Sequence, residues 1–392
     1  MTDIVLSRER EKKLRTLANL MNKQNDPSTF VSRELLYVFD AAITPEETDF
    51  LLSFGTEPRT WEEAENISPH DTASFSHFFS TILEKGLIWM RKNESGEESY
   101  SLAPILMGWF EVFLFGGKET PQHREFARRL DNLFKYWKQF NVFPIRNFRN
   151  FRQHFSAPGN RIVAPAPSSG TRTVIINEGE PVPDQHVINE GDVISLIRKY
   201  GERNAIAVGH CFCRQWRKMV DEPCAFDMPH EACLAIGDFA EHIVRYNLGR
   251  RISPAEAIEI VSLAAKKGAV HMVFHERENI DLPELGICSC CWDCCGILGS
   301  YNRGITGLHF RAYYIAEMKN PDACSGCGRC VRYCPVSAIS LHEKKAYIQP
   351  LKCIGCGQCA LQCPCNAIVM SGNERDVILP LLKTNEVRIT QK

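Results

Sequence analysis

The sequence predicts an α+β chain of several domains: a helical N-terminal part, a small cysteine-rich α/β middle and a C-terminal module of two similar halves. Three observations carry this. The 392 residues exceed one ordinary domain, and about two to four domains are expected. All 18 cysteines lie at or after Cys211. Near the C-terminus a block of sequence recurs with a period of 29 residues.

Bulk properties narrow the class. Hydrophobic residues make up 44% and charged residues 24%, an ordinary globular balance. A net charge of −1 speaks against nucleic-acid binding by the chain as a whole. The N-terminus lacks the basic, apolar and small-residue order of a secretory peptide, so none is expected. The most apolar stretch, Pro104 to Gly117, contains Glu111 and is too short to cross a bilayer core of about 30 Å as a helix. It reads as buried core, with an amphipathic membrane or partner contact as the alternative. The cysteines form tight C-x-C, C-C and C-x2-C groups, which suit metal better than disulfides. Thiolate sites need a reducing compartment, so a cytoplasmic protein of an anaerobe or near-anaerobe is expected.

Residues 1–120 read as mostly helical. Thr44-Pro45-Glu46-Glu47 starts one helix, with a Thr cap, Pro at the first position and acids in the first turn. Thr60-Trp61-Glu62-Glu63 starts another. Ser68-Pro69 begins a third, in which Phe75, Phe78, Phe79, Ile82 and Leu83 follow helical spacing until Gly86. Leu87 to Met90 and Tyr100 to Leu102 then flank a polar turn, as in a strand pair. Helices followed by a hairpin resemble a winged-helix domain, over about 60 residues.

Residues 121–163 form a basic, aromatic connector. Arg124, Arg128, Arg129, Lys135, Lys138, Arg146, Arg149, Arg152 and Arg161 outnumber Glu125 and Asp131, and phenylalanines from Phe126 to Phe155 are interleaved with Tyr136 and Trp137. A connecting helix with one core face is the leading expectation, and a docking surface for an acidic partner is the other. Residues 164–315 form the α/β cysteine-rich domain, opening with the linker Ala164 to Gly170. It continues with a strand (Thr173 to Ile176), a helix (Asp192 to Tyr200), a strand (Ala205 to Val208), a helix (Pro254 to Lys267) and a strand (Gly268 to Phe274). Residues 316–373 form the repeated module, and residues 374–392 a tail.

The repeat is specific. Cys324-x2-Cys327-x2-Cys330-x3-Cys334-Pro335 recurs as Cys353-x2-Cys356-x2-Cys359-x3-Cys363-Pro364, and Ala338-Ile339 recurs as Ala367-Ile368. Three thiolates at i, i+3 and i+6 can wrap one face of a cubane. The fourth cysteine of each run ligates the other cluster. Cys324, Cys327, Cys330 and Cys363 are therefore expected to hold one [4Fe–4S] cluster, and Cys353, Cys356, Cys359 and Cys334 the second. Gly326, Gly328, Gly355 and Gly357 let the loops bend and turn N–H groups toward sulfur. A zinc ribbon would need only C-x2-C pairs. From about Asp322 to Ser371 the sequence resembles bacterial two-cluster ferredoxins, which implies a (βαβ)2-like fold and electron transfer. Cys365 is surplus and reads as a buried or tuning thiol.

Nine cysteines lie upstream: Cys211, Cys213, Cys224, Cys233, Cys288, Cys290, Cys291, Cys294 and Cys295. So many uncoordinated thiols would be an oxidation hazard. One or two further Fe–S clusters are the leading expectation, ahead of zinc or a redox-active dithiol. The expected ligands are Cys211, Cys224 and Cys233 with some of Cys288, Cys291, Cys294 and Cys295. Cys213 and Cys290 stand outside this set. Neighbours such as Cys290 and Cys291 cannot easily bind one cubane together, which favours one group facing a cluster and the other facing elsewhere. His210 and His230 are nearby and read as structural sooner than as ligands. From about Ile206 to Ser371 the arrangement resembles anaerobic 4Fe–4S ferredoxin-type domain proteins with a C-x-C-R segment, a C-x-CC-x2-CC patch and a terminal two-cluster ferredoxin. That resemblance implies electron transfer and no defined substrate.

The chain has no G-x-G-x-x-G, no Walker A loop, no C-x3-C-x2-C and no C-x2-C-H. No catalytic residue is identified. The expected function is single-electron transfer to or from a partner redox enzyme or carrier protein. The alternatives are a reductase with a special cluster in the middle domain and a winged-helix redox-sensing regulator. Residues 1–120 carry 20 acidic against 12 basic side chains, which argues against DNA. Homo-oligomer and complex subunit both remain open.

Overall fold

The structure is a computed structural model and describes residues 6–24, 29–92, 95–139, 161–163, 193–275 and 284–389. The expected linker at 164–170, the strand at 173–176 and the later part of the basic connector lie outside these residues.

The N-terminal part packs α1 (Arg8–Asn22), α2 (Arg33–Ala42), α3 (Pro45–Phe54), α4 (Trp61–Asn66) and α5 (Thr72–Glu84) before an antiparallel hairpin, β1 (Ile88–Lys92) and β2 (Glu98–Leu102). Capping boxes at Thr44 and Thr60 start α3 and α4, each threonine accepting from the backbone of a glutamate that bonds back. The expected start of α5 at Ser68-Pro69 moves to Thr72. Asp71 is the residue that caps it, accepting from the Ser74 N–H. Gly86 ends α5 at φ +72°, where a Cβ would stand 2.3 Å from Val112.

The apolar stretch after the hairpin is core. A π-turn (Ile105–Trp109) leads into α6 (Phe110–Phe115), and Trp109 and Phe110 pack edge-on against Phe126 of α7 (Pro121–Gln139). Four of the five basic residues on α7 have local partners: Arg128 and Arg129 bind Glu125, Arg124 binds Glu119 and Lys135 binds Asp131. No helix among the described residues is long and apolar enough to cross a membrane.

The middle segment alternates α8 (Val193–Gly201), β4 (Ile206–His210), α9 (Phe212–Met219), β5 (Glu231–Ile236), α10 (Asp238–Arg245), β6 (Arg250–Arg251), α11 (Pro254–Lys266), β7 (Val270–His275) and β8 (Glu284–Cys290). After α12 (Leu298–Asn302) comes β9 (Leu308–Met318), and the C-terminal module adds α13 (Arg329–Tyr333), the hairpin β10 (Ile339–His342) and β11 (Lys345–Ile348), α14 (Gln358–Leu361) and β12 (Ile368–Leu379). With β3 (Arg161–Val163), one sheet runs β12-β9-β3-β7-β8-β5-β4-β6. The boundary drawn at 315/316 falls inside β9, and the one at 373/374 falls inside β12. These two strands pair from Ile368–Met318 to Leu379–Leu308 around a bulge, so the cysteine-rich segment and the repeated module share a sheet.

The hairpin does not stand free. Trp89 stacks near Phe239, Arg245 binds Glu98, and the Met90 N–H donates to His242 Nδ1 at 3.2 Å. His242 is fully buried, and burial pushes its pKa down to about 3, with Arg245 adding to the shift. The folded state therefore binds its proton less readily than the unfolded state. The His242 contribution is complete above about pH 6.5 and falls by about 1.4 kcal/mol per pH unit as pH drops toward 3. Urea unfolding between pH 7 and 5 is expected to show a steeper loss for the wild type than for His242→Gln.

Candidate metal centres

The repeat is visible in the backbone. Gly326 and Gly355 have φ of +69° and +72°, and Gly328 and Gly357 +73° and +74°. A Cβ on Gly326 would meet the Lys344 carbonyl oxygen at 2.3 Å, and one on Gly355 the Tyr314 carbonyl oxygen at the same distance. Ser337 and Asn366, also 29 apart, both take left-handed φ, at +53° and +51°. Sequence reading did not single them out, although the period itself pairs them.

Two pockets follow from these loops. One is lined by Cys324, Cys327, Cys330 and Cys363, and the other by Cys334, Cys353, Cys356 and Cys359. Each wall thus crosses between the two halves of the repeat. Backbone N–H groups point at sulfur: Ala338 to Cys334 at 3.1 Å, Ala367 to Cys363 at 3.3 Å and Ala316 to Cys353 at 3.5 Å. Four thiols around one pocket with N–H donors at their sulfurs fit a [4Fe–4S] cluster in each. Cys365 lines the first cavity beside Cys324 and donates to Ser325 Oγ at 3.5 Å.

The two cavities differ in burial. Cys327 is exposed and Cys324 and Cys363 are half-buried, whereas Cys334, Cys353, Cys356 and Cys359 are all buried. The first is the outer site and the second the inner. Burial raises the Cys356 and Cys359 thiols, so metal must displace their protons.

The nine upstream cysteines separate into two sets. The first is a closed ring of six, in which Cys211 interacts with Cys213, Cys213 with Cys295, Cys295 with Cys290, Cys290 with Cys288, Cys288 with Cys233, and Cys233 with Cys211. The sheet builds it. β5 lies between β4 and β8, Gly209 pairs with Cys233, and Leu234 pairs with Ile287, so Cys233 Sγ reaches Cys288 Sγ at 3.8 Å. Two residues on, Cys290 shares the face of Cys288, while Ser289 turns the other way to His271. Hydrogen bonds from Cys213 and Cys233 hold the Cys211 thiol low, and bonds from Cys233 and Cys290 bring Cys288 down to about 6.

The second set is Cys224, Cys291 and Cys294, whose sulfurs lie within 4.8 Å of one another. Cys224, expected beside Cys211 and Cys233, thus stands with Cys291 and Cys294. Cys224 sits on the loop after α9, and that loop is tied to the 291–294 turn by an Ala225 N–H bond to Asp293 Oδ2 at 2.7 Å. Cys213 and Cys290, left out of the expected ligand set, are members of the ring. The C-x-C spacing at 288 and 290 was the available signal, since it places both on one face of a strand. The adjacent pairs Cys290-Cys291 and Cys294-Cys295 each divide between the two sets.

Arg214 serves both sets. It is 1% exposed and donates to the carbonyls of Pro229, at 2.6 Å, and Ser289. Burial lowers its pKa, but the charges of Cys211, Cys294, Cys291 and Cys233 outweigh burial and hold it above the usual guanidinium value. His210 packs against Gly117, and the His230 carbonyl accepts from the Cys211 N–H.

Residues 323–373 match the family model of a 4Fe–4S dicluster domain, which places such a domain near the C-terminus. No curated protein and no solved structure matches the chain.

The crossing of ligands gives a direct test. Cys363→Ser is expected to perturb the outer site and Cys334→Ser the inner one, although each residue belongs to the opposite run. Comparing EPR of the reduced variants with those of Cys327→Ser and Cys356→Ser should pair Cys363 with Cys327 and Cys334 with Cys356.

Proposed function

We propose that the chain is an iron–sulfur electron-transfer protein or subunit, exchanging single electrons with a partner redox enzyme or carrier protein. Its C-terminal module would hold two [4Fe–4S] clusters, and the six-thiol ring would provide at least one further iron–sulfur centre. The carrying observation is the pair of four-cysteine cavities inside a stretch that matches a 4Fe–4S dicluster domain. Bound there, a [4Fe–4S] cluster supplies reversible one-electron exchange.

The chain's own residues support this reading by what they hold. Lys345 Nζ donates to the Cys324 carbonyl at 2.9 Å, Arg388 to that of Cys334 at 2.8 Å and Arg375 to that of Cys353 at 2.5 Å. Each fixes a ligand loop and brings a cation close to where negative charge would accumulate. At the outer site Cys327 is exposed, with Leu341, Tyr347 and Leu351 among the exposed large apolar residues of the same module. That surface suits transient contact with a partner. All four inner-site cysteines and Cys330 of the outer site share one apolar core with Cys290 and Cys295 of the ring. The proposed order is therefore partner, outer site, inner site, ring.

The helical N-terminal part fits a supporting role better than DNA reading. Its hairpin is docked on α10, and α5 carries no Lys or Arg to neutralise phosphate.

Anaerobically purified full-length protein is expected to be coloured and to contain iron and acid-labile sulfide in near-equal amounts, about twelve or more of each per chain. About eight of each would confine the clusters to the C-terminal module. A colourless protein, with zinc or no metal on the repeated cysteines, would overturn the proposal.

A further inference from the structure

The three sulfurs of the Cys224 set are packed more tightly than the ring's Cys233–Cys288 pair, which stands at 3.8 Å. The C-terminal sulfurs line two pockets, four cysteines to each. In the Cys224 set the sulfurs nearly touch: Cys224 to Cys291 is 3.5 Å and Cys291 to Cys294 is 3.0 Å. A cubane carries its thiolates on separate irons, which keeps the ligand sulfurs well apart. A single tetrahedral ion with metal–sulfur bonds of about 2.3 Å needs sulfurs only about 3.8 Å from one another. The Cys224 set matches the second requirement.

The local backbone is built for thiolates. Cys291 accepts from the Cys294 N–H at 3.2 Å. Cys291-x2-Cys294 is thus a tight turn whose N–H points back at its own first sulfur. Asp293 inside that turn binds the Ala225 N–H, and Arg303 holds Asp293 from behind, donating to its carbonyl at 2.5 Å. The surrounding apolar cluster of Met228, Ala264 and Ala269 shields the sulfurs. Three thiolates and a divalent ion sum to one negative charge, and the buried guanidinium of Arg214 lies close enough to oppose it.

We infer that Cys224, Cys291 and Cys294 bind one thiophilic divalent ion, Zn²⁺ or Fe²⁺, in a mononuclear site separate from the six-thiol ring. Among the described residues no fourth Cys, His, Asp or Glu joins the set. The fourth position is therefore filled from outside it, as in reactive metal sites, where three protein ligands leave one place exchangeable. Binding releases the thiol protons and involves no change of oxidation state.

The test uses the full chain, purified anaerobically. Wild type is expected to carry about one equivalent of divalent metal beyond the iron matched by sulfide. Cys291→Ser and, at the more exposed edge of the set, Cys224→Ser should each lose that equivalent while sulfide content and the reduced-state EPR signals stay. Protein grown with Co²⁺ should show tetrahedral cobalt–thiolate absorption that shifts when imidazole is added, a readout that needs no variant. Equal losses of iron and sulfide in the variants would show a cluster here, and metal content unchanged by both variants would show no site; either overturns the inference. So would a cobalt spectrum indifferent to added ligand. None of these outcomes touches the C-terminal clusters, whose iron and sulfide are counted separately.

Discussion

Everything in the middle of this molecule depends on placing one cation among nine thiols. Arg214 is almost wholly removed from solvent, and its charge is opposed by Cys211 and Cys233 on one side and by Cys291 and Cys294 on the other. A buried guanidinium without such partners would carry a desolvation penalty of several kcal/mol. A nest of thiols without a cation would resist losing protons to a metal. The forked guanidinium also donates to the Pro229 and Ser289 carbonyls, pinning the chain entering β5 to the end of β8. One side chain therefore carries a positive charge facing members of both cysteine sets and ties together backbone that bears them.

The second constraint is continuity between the sites. The repeated module is joined to the cysteine-rich segment through the β9–β12 pairing and through α14. Gln358 donates to the Ala269 carbonyl at 2.5 Å and Gln362 to the Lys266 carbonyl at 3.0 Å, both glutamines being buried. Asn302 closes the other side, donating to the Pro335 carbonyl at 2.9 Å. Arg388, near the end of the described chain, binds the Cys334 carbonyl and lies over the Trp292 ring. Buried polar bonds of this kind fix orientation, because each would leave an unsatisfied group if the interface slipped. The inner cavity and the ring are held in one core for that reason.

The N-terminal helices contribute packing. Their core extends without a break into Phe212, Trp216 and Met219 of α9, the helix that begins beside Cys211 and carries Cys213 and Arg214. Helix α9 is thus braced by Phe134 of α7, 4.5 Å from Trp216, and Cys213 packs against the same core. The buried Arg217–Asp131 pair at 2.9 Å ties the same two helices.

Where ligands are close in sequence, the residues themselves determined the outcome. Three thiols of each four-cysteine wall in the C-terminal module follow from spacings of three within one run, and the 29-residue repeat marks the opposite run as the source of the fourth. The capped starts of α3 and α4 and the buried Pro104–Gly117 stretch were legible for the same reason. The middle cysteines come from four separate segments. Whether Cys224 meets Cys233 or Cys291 depends on the strand order β4-β5-β8, on the register that opposes Leu234 to Ile287, and on the Asp293 bond that draws the 224 loop toward the 291–294 turn. None of these is a local property, since strand partners are chosen by burial of whole faces. Only the tertiary structure could divide nine thiols into six and three.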